Sequence, residues 1–260
     1  GYRLLQSISV SDIDAGDEDL SLDVEVDDGV LRFDTVAGLS SISGNDSPSV
    51  TLVGSLSELN LALASLNYKP DADYFGIDSL AVTLSDLGNT GAGGPQIVSD
   101  SVSITVDPVN DAPTASGTYA FSSTDENTVS SAVQVSTILS DAAVSAGDVD
   151  GDTLGIAVFA RTGSGIWEYS TSGTGGWTAF GAVDPSAALL LSESTWIRYV
   201  PDGENGEAVD FDFCAWDQSA GSPSVNTAPS YGNTTPGGGS TPYSTGAATA
   251  NLAVTSVNDA

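Results

Sequence analysis

Histidine and methionine are absent from the 260 residues, there is a single cysteine, Cys214, and five lysines and arginines stand against 35 aspartates and glutamates. Without histidine, the Ser-His-Asp and Cys-His schemes and the usual imidazole zinc sites have no members. One cysteine closes no internal disulfide, and compartment cannot be read from it. The formal charge of -30 repels nucleic acid and anionic lipid, whose binding depends on basic residues. No stretch approaches the roughly 18 apolar residues of a membrane helix, so no membrane insertion is expected in this segment. Gly1 opens without a charged or apolar leader, so any targeting signal is expected to lie outside the sequence. A charge so far beyond the roughly 2–8 that solubility asks of a small domain needs another partner, and cations are the natural one.

What is present is duplicated. SVSITVDPVNDA, Ser101 to Ala112, returns as TANLAVTSVNDA, Thr249 to Ala260, with Asn110 and Asn258 148 residues apart. SVSDIDAGDEDL from Ser9 matches VSAGDVDGDTL from Val144. LNYKPDADYFGIDSLAVTLSD from Leu66 matches IRYVPDGENGEAVDFDFCAWD from Ile197. Landmarks kept in one order define two copies of one unit. Between them the period is two: Leu80, Val82 and Leu84 alternate with small and polar residues, as do Phe211, Phe213 and Ala215. Short strands separated by Gly, Asn, Asp and Ser clusters predict an all-β chain of two tandem antiparallel sandwiches in an elongated arrangement. The expected division is a first sandwich over 1–106, a linker over 107–113, and a second sandwich over 114–260 with a long Gly/Ser/Thr loop over 218–248. The first strand of the first copy is expected to be missing or incomplete. One short helix per copy is predicted, at Leu59–Leu63 behind the Ser55/Glu58 capping pair and at Ala187–Leu191 behind Asp184 and Pro185.

The acids are mostly Asp, which suits turns, and calcium takes six to eight oxygen ligands of the kind supplied here. An EF-hand loop counted from Asp148 would place Thr153 where Gly is needed and Phe159 where Glu is needed; counted from Asp12 those places hold Asp17 and Asp23. Glycine-rich nonapeptide repeats are also missing.

The dispersed order of motifs resembles the cadherin-like, immunoglobulin-like repeats of large bacterial repeats-in-toxin surface adhesins, over essentially the whole chain. The resemblance rests on DPVNDAP at Asp107–Pro113, DVD at Asp148–Asp150 and AWD ending at Asp217. It implies Ca²⁺ held at the seam between consecutive domains. Asp71, Asp73, Asp107, Asn110 and Asp111 would come from the first copy and its linker, and Asp148, Asp150 and Asp217 from the second. Sandwich topology agrees, because the loops that enter one end of a domain face the exit of the preceding one. By the same alignment Asp12, Asp14 and Asp86 form an outer half-site toward an upstream neighbour, and Glu126, Asp202, Glu204, Asn258 and Asp259 one toward a downstream neighbour. The shortened linker and the lack of a first-strand Glu in copy one depart from the family pattern. Two carboxylates about 4 Å apart repel by roughly 4 kcal/mol at an effective dielectric near 20, so such a cluster needs a cation.

These readings give a non-enzymatic, calcium-rigidified extender segment of an adhesin at the bacterial cell surface, its partners being neighbouring repeats of the same chain. Trp167, Tyr169 and Trp177 are read first as core and cross-strand packing; the functional alternative, of a different class, is a calcium-dependent module that binds polysaccharide or another cell surface through those rings. A glycosidase pair of carboxylates is set aside, since among 35 acids some pair always looks suitable.

Overall fold

In a computed structural model the chain is described over residues 1–89 and 94–258. It divides into two compact units, Gly1–Val109 and Asn110–Ala260. Both are β-sandwiches.

Unit 1 contains β1 (Arg3–Leu4), β2 (Leu20–Glu25), β3 (Gly29–Phe33), β4 (Ser41–Ser43), β5 (Ser49–Gly54), α1 (Leu56–Leu63), β6 (Leu66–Pro70), β7 (Gly76–Ser85) and β8 (Ile97–Val106). One sheet has the order β4-β5-β2-β7-β8 and the other β1-β6-β3. Alternation does the folding: Leu20, Leu22 and Val24 of β2 are buried while Asp23 and Glu25 face water. The inward residues pack with Leu31, Leu52, Leu59, Leu66 and Leu80 in one core. Helix α1 starts at Leu56, three residues ahead of the predicted Leu59, behind the expected capping pair: Glu58 Oε2 accepts the Ser55 backbone N–H at 2.9 Å and its hydroxyl at 2.9 Å.

Unit 2 contains β9 (Thr114–Ala120), β10 (Thr124–Asp125), β11 (Val133–Gln134), α2 (Val135–Leu139), β12 (Val144–Gly147), β13 (Gly155–Arg161), β14 (Ile166–Ser170), β15 (Thr178–Ala179), β16 (Ala188–Leu191), β17 (Trp196–Val200), β18 (Glu207–Trp216), β19 (Tyr231–Gly232) and β20 (Ala248–Thr255). The larger sheet runs β12-β9-β20-β18-β13-β16-β19, with β10 also on β20; the smaller runs β11-β17-β14-β15. Strand β9 changes partners along its length, pairing β12 through Gly117 and then β20 from Thr118. Gly117 sits at the change with φ +97°, a conformation that favours glycine.

The second helix predicted at Ala187–Leu191 is a strand instead, and the helix of unit 2 is α2. Leu189 and Leu191 of β16 face the sandwich core, while Ala188 and Leu190 face a second apolar cluster with Ala157, Trp216 and Tyr243. A run buried on both faces reads as continuous apolar sequence, and its four residues suit a strand better than a helix. Asp184 caps a turn, its Oδ1 accepting the Ser186 N–H at 2.7 Å. That second cluster exists because the 218–248 segment folds over the outer face of the larger sheet. Trp216 bridges to Tyr243, the Trp216 indole donates to the Ala220 carbonyl at 2.8 Å, and the Ser224 N–H donates to Leu190 O at 2.8 Å.

One buried device occurs in both units. Tyr68 and Tyr199 occupy matching places in the repeated segment, and each hydroxyl donates to a carboxylate near the start of the next strand. Tyr68 bonds Asp78 Oδ2 at 2.7 Å; Tyr199 bonds Glu207 Oε1. Burial comes first in raising both phenols above their ordinary range, followed by the hydrogen-bonded carboxylate.

Candidate metal centre in unit 2

The loop from β12 to β13 carries Asp148, Asp150 and Asp152 at alternate positions. A turn draws them together: Asp148 Oδ1 accepts the Asp150 N–H at 2.8 Å. One carboxylate oxygen from each of the three lies within 4.8 Å of the others. Among the described residues this is the group of three or more acids with metal-ligand spacing.

The segment entering unit 2 joins the same place. The Asp111 N–H donates to Asp150 Oδ2 at 2.7 Å, and the Asn110 side-chain amide donates to Asp217 Oδ2 at 2.8 Å. Asp217 directly follows β18, is buried, and accepts the Ser219 N–H on Oδ1 at 2.8 Å. The 218–248 segment supports both strings of ligands from behind. The Gly239 carbonyl accepts the Ala112 N–H at 2.7 Å, and the Pro242 carbonyl accepts the Asp217 N–H at 3.1 Å.

Two observations make this arrangement suit a cation. Asp148 Oδ2 is buried with no hydrogen-bond partner, a costly state for a carboxylate oxygen unless a cation faces it. Asp152 is pushed above the ordinary carboxylate range, first by loss of hydration and then by the negative charges of Asp148, Asp217 and Asp150. The donors are all oxygens, without imidazole or thiolate, which fits a hard cation such as calcium and not zinc.

Of the expected ligands, Asn110, Asp111, Asp148, Asp150 and Asp217 therefore gather within unit 2. Asp152 belongs with them and was missing from the expected set; its signal is the every-second-residue spacing Asp148, Asp150, Asp152. Asp71, Asp73 and Asp107 belong to unit 1 and are exposed there. Asp73 has a left-handed backbone, φ +61°, and the Asp71 N–H donates to Asp28 O at 3.0 Å.

The outer sets are looser. Asp12 Oδ1 accepts the N–H groups of Asp14 and Ala15 at 3.1 Å each, the same type of turn as at Asp148. Asp86 Oδ1 accepts Gly88 and Gln96 N–H at 2.8 and 2.7 Å; these bonds hold its carboxyl below the ordinary range. At the other end of unit 2, Glu126 is 2% exposed. Its Oε1 accepts the Val257 N–H at 2.7 Å, while Oε2 has no partner. Asp202 Oδ1 accepts the Glu204 N–H at 3.0 Å, and both side chains face water, as does Asn258. Asp259 lies outside the described residues.

Of the two readings of the aromatic hairpin, core packing holds for Trp167 and Tyr169 and the sugar platform is corrected. Trp167 is 1% exposed and Tyr169 fully buried, because the alternation of β14 turns both toward the core and leaves Glu168 outside. Trp177 is half-buried, with the Arg198 guanidinium 4.0 Å from its ring centroid; Arg198 in turn pairs with Glu168 at 2.7 Å. No open stack of rings is left to hold a sugar through Trp167 and Tyr169.

No protein-family model matches the chain, and no curated protein does. Among solved structures, it is similar to mouse protocadherin-24 EC1-3, with 16% identity over 89% of this chain and 58% of that one and a TM-score of 0.29. Another is the zebrafish RET cadherin-like domains 1 to 4, with 11% identity over 96% of this chain and 44% of that one and a TM-score of 0.22. The chain thus spans less than two thirds of either. At TM-scores this low neither match fixes the fold, which is defined by its own strand order.

Proposed function

We propose that this chain is a calcium-stiffened pair of repeats from an extracellular adhesion protein of a bacterial cell surface, acting as a spacer and not as an enzyme. The single observation that carries the reading is the buried, unpartnered Asp148 Oδ2 in the Asp148–Asp152 turn, whose three carboxylates lie at metal-ligand spacing. Asp148, Asp150, Asp152 and Asp217 would hold the ion, with Asn110 and Asp111 beside them. When bound, calcium supplies positive charge that offsets the mutual repulsion of these carboxylates. The residues do the rest. Asn110 and Asp111 tie the entering chain to Asp217 and Asp150, so any ion that orders the acids also restrains the segment leading out of unit 1 at Asp107–Val109. Sites of this kind in extracellular modules work at about 0.1–1 mM calcium.

The test is thermal unfolding followed by tryptophan emission, with magnesium as control. Calcium at ten times its Kd is expected to stabilise unit 2 by about 1.4 kcal/mol. The double variant Asp148→Asn/Asp152→Asn is expected to lose that gain while its calcium-free stability stays the same or rises. Small-angle scattering is expected to show a narrower distribution of dimensions in calcium than in chelator. A calcium-insensitive wild type would reject the reading.

A further inference from the structure

Asn110 follows Asp86 by 24 residues, but Asn258 follows Asp217 by 41. The extra chain in unit 2 has a definite place. Its stretch from Gly237 to Gly246 is anchored on one side. Tyr243 is 7% exposed and lies in one apolar cluster with Trp216 and Leu190. The Ser244 N–H donates to Ala215 O at 3.1 Å, and the Ser244 hydroxyl oxygen accepts the Ala215 N–H at 3.0 Å. A Cβ on Gly246 would lie 2.2 Å from Ala115 O, so the chain comes flush against β9 because glycine stands there.

From that base the turn presents two carbonyls. Gly239 O accepts the N–H of Ala112, which directly follows Asp111, and Pro242 O accepts the N–H of Asp217. Each holds one of the two strings whose side chains meet at Asn110 and Asp217. In unit 1 the matching Asp86 is held by its own short hairpin. Its N–H donates to Gln96 O at 3.2 Å, and its Oδ1 is taken by the N–H groups of Gly88 and Gln96. Asp217 gives Oδ1 to the Ser219 N–H and keeps Oδ2 for Asn110. We infer that the inserted Gly237–Gly246 turn is a positioning element that sets how tightly unit 2 holds calcium, and that it is stiffened in return when the ion binds. The inference rests on the calcium reading above. Ligand strings fixed beforehand have less freedom to lose on binding, and the coupling between turn and ion is reciprocal.

Backbone carbonyls cannot be deleted by substitution, but Thr241 knots the turn. Its hydroxyl donates to Gly238 O at 2.9 Å, and the Gly238 N–H donates to Tyr243 O at 2.8 Å. Thr241→Val keeps the shape and removes the bond; Thr241→Ser keeps the bond. Calcium titrated into the full chain by calorimetry is expected to show a Kd raised about fivefold in Thr241→Val and restored in Thr241→Ser. A merely structural role would lower the unfolding midpoint in chelator and leave Kd unchanged. In the wild type, calcium but not magnesium is expected to slow amide exchange at Gly238 and Ser244 by about fivefold, the same coupling read from the other side. Equal Kd in all three proteins, or calcium that binds without slowing these amides, would overturn the inference and leave the calcium reading standing. A wild type that takes up no calcium would overturn both.

Discussion

Trp167→Ala is expected to lower the stability of unit 2 by roughly 3–5 kcal/mol, the range for deleting a large ring from a packed core. The ring is surrounded: its centroid lies 4.9 Å from Tyr199, 5.0 Å from Phe211, 5.4 Å from Phe121 and 6.3 Å from Phe180. Its indole N–H donates to the Thr162 carbonyl at 3.2 Å. Against total stabilities of about 5–15 kcal/mol, such a loss is most of what some domains have. Trp167→Phe keeps much of the contact and gives up the N–H, so about 1–2 kcal/mol is expected. Urea unfolding read by the remaining indoles measures both. A change below 1 kcal/mol in the alanine variant would mean that the ring is not where the core needs it.

The second large effect belongs to unit 1. Asp78 is 2% exposed, and its two oxygens accept four donors: the N–H groups of Asp27 and Ser79 on Oδ1 at 3.1 and 2.7 Å, and the Asp28 N–H and Tyr68 hydroxyl on Oδ2 at 3.2 and 2.7 Å. The carboxylate ties the β2–β3 turn to β7 and β6. Removing it in Asp78→Ala strands these donors, for an expected loss of about 3 kcal/mol, at one to three per buried unsatisfied group with some reached by water. Asp78→Asn retains one acceptor oxygen and is expected to lose less.

The pH dependence follows from the same bonds. Burial pushes the Asp78 carboxyl upward, but the Tyr68 hydroxyl and the N–H groups of Asp27, Ser79 and Asp28 outweigh it and hold it below the ordinary range. A depressed native value gives stability that is complete above the unfolded pKa, about 3.9, and is lost as pH falls through the folded one. The gap in stability between wild type and Asp78→Asn is therefore expected to be constant near neutrality and to close below about pH 4. A gap that persists into acid would assign the loss to geometry and not to charge.

These two residues also mark how far the sequence could be read. Period-two alternation in Leu80, Val82 and Leu84, and in the matching Phe211, Phe213 and Ala215, anticipated β7 and β18, because a strand with one buried face alternates; which strands pair, and in what register, was not read from the sequence. Asp78 shares the parity of Leu80, so its inward direction was available, but nothing local said that four donors would meet it. Asp148, Asp150 and Asp217 were legible through repetition; Asp152 was passed over although it continues their spacing. Trp167 was ambiguous because aromatic residues stand on both faces of its hairpin. Ala187–Leu191 misled because an Asp-Pro start is shared by helices and by turns that precede a strand.

All four tryptophans, Trp167, Trp177, Trp196 and Trp216, fall in unit 2, although the units descend from one repeated pattern. Indole emission thus reports on one half of the molecule alone, while circular dichroism and calorimetry register both. The difference between an optical melt excited at the red edge and a calorimetric trace isolates the other half without cutting the chain or adding a label.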